Sequence, residues 1–284
     1  MASRTLLISG SLLDGGTVCI KLSAVSIRLP SIRGLLRGLT PLFVLDRRSA
    51  RQRGLNRRAF NLARAWNLDL VPDLAILNGG LIIDVGAHEG LWTDAVLEIA
   101  PTAKVIAAEP QDDLRAQISR RFEGDPRVTV DGRALSDHVG ESTFNLLGAS
   151  VNGSLHRPRP GMDSVYGSGW EGEATITVPT TTLDQMVGDL PVALLKIDVQ
   201  GAEAEVLRGA QGVLMRTDIV MLEVTFFSHY DGDTTFVDLH SMMTDAGFSL
   251  AGVAEPARSK LGAMMCSDAC YVSNRLLENV VSAQ

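Results

Sequence analysis

The chain contains little of what disulfide-stapled or membrane-spanning proteins need. Its 284 residues include three cysteines, Cys19, Cys266 and Cys270, which cannot all pair within one chain, so a reducing compartment is expected. The longest early apolar stretch, residues 5–13, is far shorter than the roughly 20 residues that cross a bilayer. No clear signal-peptide cleavage site follows it. We therefore expect a cytoplasmic protein.

Positive charge is also scarce, because 26 Lys and Arg stand against 33 Asp and Glu and the net charge is -7. This balance argues against a nucleic-acid partner. The charges are uneven, since residues 1–80 carry 12 Lys and Arg against four Asp and Glu, whereas residues 81–284 carry 14 against 29. We therefore divide the chain into a basic N-terminal extension, residues 1–80, and an acidic body, residues 81–284.

The basic extension has two interpretations that the sequence leaves open. Its Arg-rich residues 46–68 have Ala and Leu at helical spacing, so we expect the extension to be partly helical. Residues 28–37 mix Leu and Ile with Arg. They favour a helix packed on the body by its apolar stripe, and peripheral contact with an anionic membrane is the alternative. The sequence does not decide whether residues 1–45 are ordered.

Short apolar runs alternate with helical patterns from residue 81 onward. Strands are expected at residues 81–85, 104–108, 193–199, 219–224, 248–253 and 269–273, with a third strand that combines residues 128–130 and 134–135. Helices are expected at residues 91–100, 112–122, 183–187, 202–215 and 236–246. Residues 141–147 and 174–178 alternate like exposed strands, and residues 148–172 form a long irregular loop. The alternation is typical of a parallel α/β sheet.

A glycine turn follows the first of these strands. Gly86 and Gly90 let the chain turn sharply and let a ligand approach the backbone at the start of the next helix. Their G-x-x-x-G spacing lacks the second glycine of the dinucleotide fingerprint, which disfavours a nicotinamide or flavin dinucleotide. An ordinary tight turn is the alternative interpretation.

A carboxylate at the end of the second strand strengthens the ligand-binding interpretation. Glu109 stands 25 residues after Asp84 and directly before Pro110, which fixes the chain as it leaves the strand. A carboxylate at this place can accept hydrogen bonds from both hydroxyls of a ribose.

Three segments together resemble the FkbM family of S-adenosylmethionine-dependent methyltransferases. They are residues 83–90 (IDVGAHEG), residues 134–137 (ALSD) and residues 195–203 (LKIDVQGAE), the last continued by VLRGA at residues 206–210. The resemblance extends from about residue 81 to residue 273. The family often has Glu where Gln200 stands and Asn where His88 stands, so these two side chains depart from the family's pattern.

The resemblance implies a fold and a set of cofactor contacts. The fold is the Rossmann-like class I methyltransferase fold, a seven-stranded, mostly parallel α/β sheet with its last strand antiparallel and helices on both faces. The cofactor is S-adenosylmethionine. Its implied contacts are Asp84, Gly86, Ala87, His88, Gly90 and Glu109, with Ser136 and Asp137 beside the adenine. The implied reaction is O-methylation of a hydroxyl on a sugar, lipid or polyketide-like small molecule.

Catalytic candidates follow from what methyl transfer to oxygen needs, namely alignment and a group that takes the hydroxyl proton. Asp198 ends the fourth strand and is the leading carboxylate, and Lys196 points to the same face of the sheet. Glu223 ends the fifth strand. A purely structural Lys196–Asp198 pair is the alternative. His156 and His229 are further candidate bases, with a solvated or packed histidine as the alternative. Tyr166 with Trp170 is a candidate lid or acceptor platform, with an ordinary surface loop as the alternative.

Other functions remain as alternatives. No zinc-ligand spacing occurs, and Asp198 with Glu223 does not establish a magnesium site, so no metal ligands are assigned and the sequence leaves open whether a divalent metal assists. A non-catalytic methyltransferase-like scaffold docked by the basic extension is one alternative. A nicotinamide-dependent oxidoreductase is the other. The sequence does not decide the oligomeric state or the acceptor.

Overall fold

The computed structural model describes the backbone of residues 12–13, 17–22, 25–28, 57–170, 172–259 and 261–282. The first three ranges belong to a unit of their own, residues 1–49. They form a small antiparallel sheet of β1 (Leu12–Leu13), β2 (Thr17–Leu22) and β3 (Val25–Arg28). Residues 29–37, most of the segment considered for membrane contact, lie outside the described residues. No helix in the described ranges is both long and apolar enough to cross a bilayer.

The second unit alternates strands and helices along the chain. Its strands are β4 (Leu81–Val85), β5 (Lys104–Ala108), β6 (Val128–Asp131), β7 (Ala134–Leu135), β8 (Gly140–Leu147), β9 (Gly172–Thr181), β10 (Val192–Ile197), β11 (Thr217–Thr225), β12 (Phe248–Val253) and β13 (Cys266–Ser273). Its α-helices are α1 (Arg57–Ala65), α2 (Leu91–Ile99), α3 (Asp112–Arg121), α4 (Met162–Tyr166), α5 (Leu183–Val187), α6 (Glu203–Arg208), α7 (Gln211–Leu214), α8 (Phe236–Asp245) and α9 (Asn274–Ser282). Short 3₁₀ helices cover Leu68–Leu70, Leu74–Leu77 and Ser150–Asn152.

The main sheet has seven strands in the order β12-β13-β11-β10-β4-β5-β6. Strand β13 runs antiparallel to both of its neighbours, and the pairs β11–β10, β10–β4, β4–β5 and β5–β6 are parallel. The class I methyltransferase topology expected from the resemblance is therefore confirmed. The strand order reverses between β4 and β10, and ligands of open α/β sheets bind beyond the carboxyl ends of the strands at this point.

Both faces of the sheet are covered by helices, as expected. Alternating side chains of β4 point to opposite faces. Ile83 and Val85 belong to a buried cluster with residues of α5, α6, α7 and α8, whereas Ile82 belongs to a second cluster with residues of α1 and α2. The two apolar layers fix the sheet between them and leave the carboxyl ends of its strands free to form a site.

Residues 57–78 of the basic extension belong to this core. Ala59 and Ala63 stand four residues apart on α1 and are buried, as are Leu68 and Leu77 farther along. The body therefore begins ahead of residue 81, where the sequence had placed the boundary. The sequence analysis missed this packing because Arg residues dominate the segment. On a helix they occupy the solvent face, while the small apolar residues occupy the buried face.

Three local expectations differ from the structure. Ala134–Leu135 does not extend the strand at residues 128–130, because it pairs with β9 in a separate sheet of order β7-β9-β8. The helix expected at residues 202–215 is divided into α6 and α7. The break falls at Gly209, where a Cβ would overlap the carbonyl oxygen of Ser136. The loop at residues 148–172 contains a 3₁₀ turn and α4.

The packing of the N-terminal segment gives a stability prediction. Leu77→Ala should lower the free energy of unfolding by about 2–5 kcal/mol, because removing the fully buried side chain leaves a cavity in the cluster that it shares with residues of α1 and α2. Urea denaturation measures the change. The matched control is Leu190→Ala, an exposed site that should change stability by about 0.5 kcal/mol or less. Equal effects of the two substitutions would show that residues 57–78 contribute nothing to the core.

Candidate active site

A cavity of about 630 Å³ lies at the carboxyl ends of the central strands. Its lining changes character from one end to the other. At the end beside β6 and the β7-β9-β8 sheet, the apolar lining residues are Ala134, Leu135, Phe144, Val151 and Leu155. Beside β10 and β13 the lining is polar and charged, with Trp66, Asn67, Trp92, Lys196, Asp198 and Asp268. The glycine turn and Glu109 lie between the two ends.

Gly86 joins the ends of β4 and β10. Its φ of 78° lies in the left-handed region, where a side chain is strained. A Cβ at this position would also overlap the carbonyl oxygen of Asp198. The absence of a side chain therefore sets the distance between the glycine turn and the leading catalytic candidate.

Two backbone amides of the glycine turn hold the turn in place. The amides of Gly86 and Ala87 both donate to the carbonyl oxygen of Ala108 at 3.0 Å, which ties the turn to β5. Gly86, Ala87 and His88 line the cavity. Gly90 is not among the described lining residues, and its missing side chain leaves room for the ring of Phe122 instead.

Glu109 is buried and lines the middle of the cavity. Its two carboxylate oxygens accept hydrogen bonds from the amides of His88 and Gln111, each at 3.0 Å. Burial raises the pKa of Glu109 to about 7, and the two backbone donors counter it only in part. A carboxylate has about four acceptor positions, so both oxygens can still accept from a ligand. This geometry suits the expected ribose hydroxyls.

Lys196 lies between two carboxylates at the charged end. Its Nζ is 3.3 Å from Asp84 Oδ1 and 3.4 Å from Asp198 Oδ2. Asp84 is fully buried, is not among the described lining residues, and also accepts a hydrogen bond from Thr93 Oγ1 at 2.7 Å. Burial alone would lower the pKa of Lys196, but the nearby carboxylates outweigh it and raise the pKa above its ordinary value. Lys196 is therefore an ammonium that orients Asp198.

Gln200 connects Asp198 to Glu223. Its Nε2 donates to Asp198 Oδ1 at 2.9 Å and to Glu223 Oε2 at 2.8 Å, while its Oε1 accepts from the Tyr230 hydroxyl at 3.1 Å. Burial, with the nearby charges of Asp198 and Glu203, raises the pKa of Glu223 well above its ordinary value. Glu223 is not among the described lining residues, so it supports Asp198 through Gln200 rather than reaching the cavity.

Two lining residues, Asn67 and Asp268, were missed by the sequence analysis. Asp268 comes from β13, whose antiparallel pairing with β11 places it opposite Glu223. Asn67 Nδ2 donates to Asp268 Oδ2 at 2.6 Å. A charged residue inside an apolar strand was a usable signal for Asp268. The left-handed φ of 56° at Asn67, just after α1, is typical of a residue that ends a helix.

Ser136 and Asp137 lie away from the described cavity lining. The carbonyl of Ser136 packs against Gly209, and the Asp137 carboxylate is 3.1 Å from both Arg208 and His138. Their role beside the adenine stays a prediction.

The two histidine candidates have other partners. His156 Nε2 lies 3.3 Å from Glu205 Oε1, and this partner raises the pKa of His156. His229 is buried, and its Nε2 is 2.5 Å from the Tyr166 hydroxyl. The Tyr166 ring stacks on Trp170 with centroids 5.1 Å apart. None of these four residues is among the described lining residues.

The chain matches the family described as the methyltransferase FkbM domain over residues 84–250. It belongs to this family. The match includes the glycine turn, Glu109, Asp198 and Glu223, whereas Asn67 and Asp268 lie outside it. The family assignment made from the sequence is confirmed.

Two relatives are similar over about half of the chain. The 2-O-methyltransferase NoeI of Sinorhizobium fredii is 24% identical over 162 residues, which cover 54% of this chain and 66% of the relative. The hexuronic acid methyltransferase AglP of Haloferax volcanii is 28% identical over 145 residues, which cover 50% of this chain and 54% of the relative. The chain thus spans about two thirds of the first relative and about half of the second.

Among solved structures, the chain is similar to the magnesium protoporphyrin IX methyltransferase of Synechocystis PCC 6803 with bound S-adenosylmethionine. The two are 11% identical, with a TM-score of 0.44, over 76% of this chain and 80% of the other.

In the described part of this chain, no group of three or more His, Cys, Asp or Glu is arranged to hold a metal ion. Cys266 and Cys270 are free thiols.

The position of Lys196 gives a prediction about the charged end. Lys196→Met should lower the free energy of unfolding by about 3–5 kcal/mol, because buried carboxylates lose their cation. Chemical denaturation at neutral pH measures the loss. Lys104→Met is the matched control, since Lys104 is exposed at the start of β5. A loss no larger than that of the control would contradict the assignment of Lys196 as the charge that holds Asp84 and Asp198 together.

Proposed function

We propose that this chain transfers the methyl group of S-adenosylmethionine to a hydroxyl group of a sugar, lipid or polyketide-like small molecule. One observation carries the proposal. One cavity contains the carboxylate of Glu109 beside the glycine turn, the carboxylate of Asp198 at its charged end, and an apolar opposite end. The names of the two relatives, a 2-O-methyltransferase and a hexuronic acid methyltransferase, favour a sugar-like acceptor among these classes.

The residues present fit S-adenosylmethionine. The cavity volume of about 630 Å³ lies within the range of small-molecule sites. Phe144 and Leu155 offer an apolar surface of the kind that a purine base requires. Glu109 offers acceptors for the ribose, and the end with Asp198 offers charges for the amino-acid half. The close approach of the backbone at Gly86 leaves the middle of the cavity open to the ligand.

The chain contributes alignment and proton acceptance to the reaction. When bound, S-adenosylmethionine supplies an electrophilic methyl group whose carbon–sulfur bond breaks as the new carbon–oxygen bond forms. Asp198 lines the cavity with its side chain about one third exposed, so its carboxylate can accept the proton of the acceptor hydroxyl. Lys196 contacts one oxygen of the Asp198 carboxylate and Gln200 donates to the other, which fixes the orientation of the carboxylate.

A nicotinamide-dependent oxidoreductase is the competing function. Its dinucleotide would need close backbone approach at a second glycine two residues after Gly86, where this chain has His88. NADH is therefore the control ligand in the binding experiment.

Calorimetry with purified protein tests the cofactor and the role of Asp198. S-adenosylmethionine and S-adenosylhomocysteine should bind, and NADH should not. Asp198→Asn should bind S-adenosylhomocysteine within about threefold of wild type, yet lose about 10²–10⁴-fold in turnover of a glycoside acceptor found by screening. Asp189→Asn, at an exposed carboxylate, is the matched control. Undiminished turnover of Asp198→Asn would remove Asp198 from the mechanism, and NADH binding alone would favour the oxidoreductase.

The raised pKa of Glu109 predicts a pH dependence of cofactor binding. An ionised carboxylate accepts hydrogen bonds from the ribose better than a protonated one, and the pKa of Glu109 is about 7. The affinity for S-adenosylhomocysteine should therefore fall as the pH drops from 8 to 6. Glu109→Gln should bind more weakly and lose most of this dependence, whereas the exposed Glu123→Gln should behave like wild type. A wild-type affinity that stays constant over this range would contradict the ribose role.

A further inference from the structure

The charged end of the cavity has more negative than positive groups. Asp84, Asp198 and Asp268 surround the single ammonium of Lys196, which is within 4 Å of the first two. The other cationic side chain that lines the cavity, Arg133, lies toward the apolar end and pairs with Asp131 at 2.6 Å. With these carboxylates ionised, the end beside β10 and β13 has a negative formal charge.

Asp268 is the least compensated of these carboxylates. Its hydrogen-bond partner is the neutral amide of Asn67, and among the described residues it has no ion pair within 4 Å. Burial and the charge of Asp198 raise its pKa, while Asn67 and Lys196 lower it. Asp268 also lines the cavity, so the charge of its carboxylate acts directly on a ligand bound there.

A negative field at this end distinguishes the two forms of the cofactor. S-adenosylmethionine carries a positive sulfonium that S-adenosylhomocysteine lacks, and the two are otherwise alike except for the methyl group. With the ribose at Glu109 and the purine at the apolar end, the sulfur would lie on the side of the cavity that Asp198 and Asp268 line. The attraction between unit charges in a partly buried site persists over several ångströms, so direct contact is not required.

We propose that Asp268 is a cofactor-discriminating residue that favours the sulfonium-bearing methyl donor over its neutral thioether product. The inference rests on the proposed function, because it takes S-adenosylmethionine as the ligand of this cavity. Loss of the sulfonium charge during transfer removes an attraction to Asp268. The carboxylate therefore makes the site bind the methyl donor more tightly relative to the product than it would without Asp268.

Calorimetric titration of both cofactors tests the proposal without an acceptor. Wild type, Asp268→Asn, Asp268→Glu and the exposed control Asp189→Asn are titrated at about pH 8 in the same buffer. The measured quantity is the Kd for S-adenosylhomocysteine divided by the Kd for S-adenosylmethionine. We expect Asp268→Asn to lower this ratio about three- to tenfold, since one charge interaction is lost. Asp268→Glu and Asp189→Asn should keep it within about twofold of wild type.

The other outcomes are distinct. An unchanged ratio in Asp268→Asn, or equal weakening of both ligands, would overturn the role of Asp268 while the proposed function stands. If neither ligand binds to wild type, the proposed function fails and this inference fails with it. Thermal melting checks the fold of each variant. Asp268→Ser, which is also neutral, gives the same comparison if Asp268→Asn does not fold.

Discussion

The contact between the ends of β4 and β10 is the constraint on which the site depends. Gly86 brings the backbone of the glycine turn against the carbonyl of Asp198, which any side chain would prevent. Lys196 reinforces the same junction through Asp84 and Asp198. Because the strand order reverses here, the junction also opens the crevice that the cavity occupies. One backbone contact thus fixes both the shape of the site and the position of its leading carboxylate.

Buried charge gives this site its chemical character. Carboxylates in a medium of low polarity act over longer distances than they would in water, and here they outnumber the cations. Lys196 stabilises the cluster without neutralising it. Gln200 adds donors without adding charge, so Asp198 and Glu223 can lie close to the same side chain. The arrangement suits a reaction that begins with a cationic ligand and ends with a neutral one.

Much of the fold could be predicted from the sequence, because strands and helices alternate with clear apolar periods. The glycine turn, Glu109 and the Lys196–Asp198 pair were found by the same reasoning, and the structure brings them to one cavity. The assignment of Ala134–Leu135 to the third strand was wrong, since two residues contain no information about which strand they pair with. Ser136 and Asp137, which follow this pair, are not among the described residues that line the cavity.

The sequence by itself determined the class of the fold, the family and the side chains that end strands β4, β5 and β10, because these features are encoded in local patterns and short spacings. Only the tertiary structure decided that Asn67, which follows α1, and Asp268 of β13, 201 residues later, line the same cavity as Asp198. The physical reason is that periodicity specifies which face of an element is buried, whereas its neighbours follow from how all the apolar faces pack together.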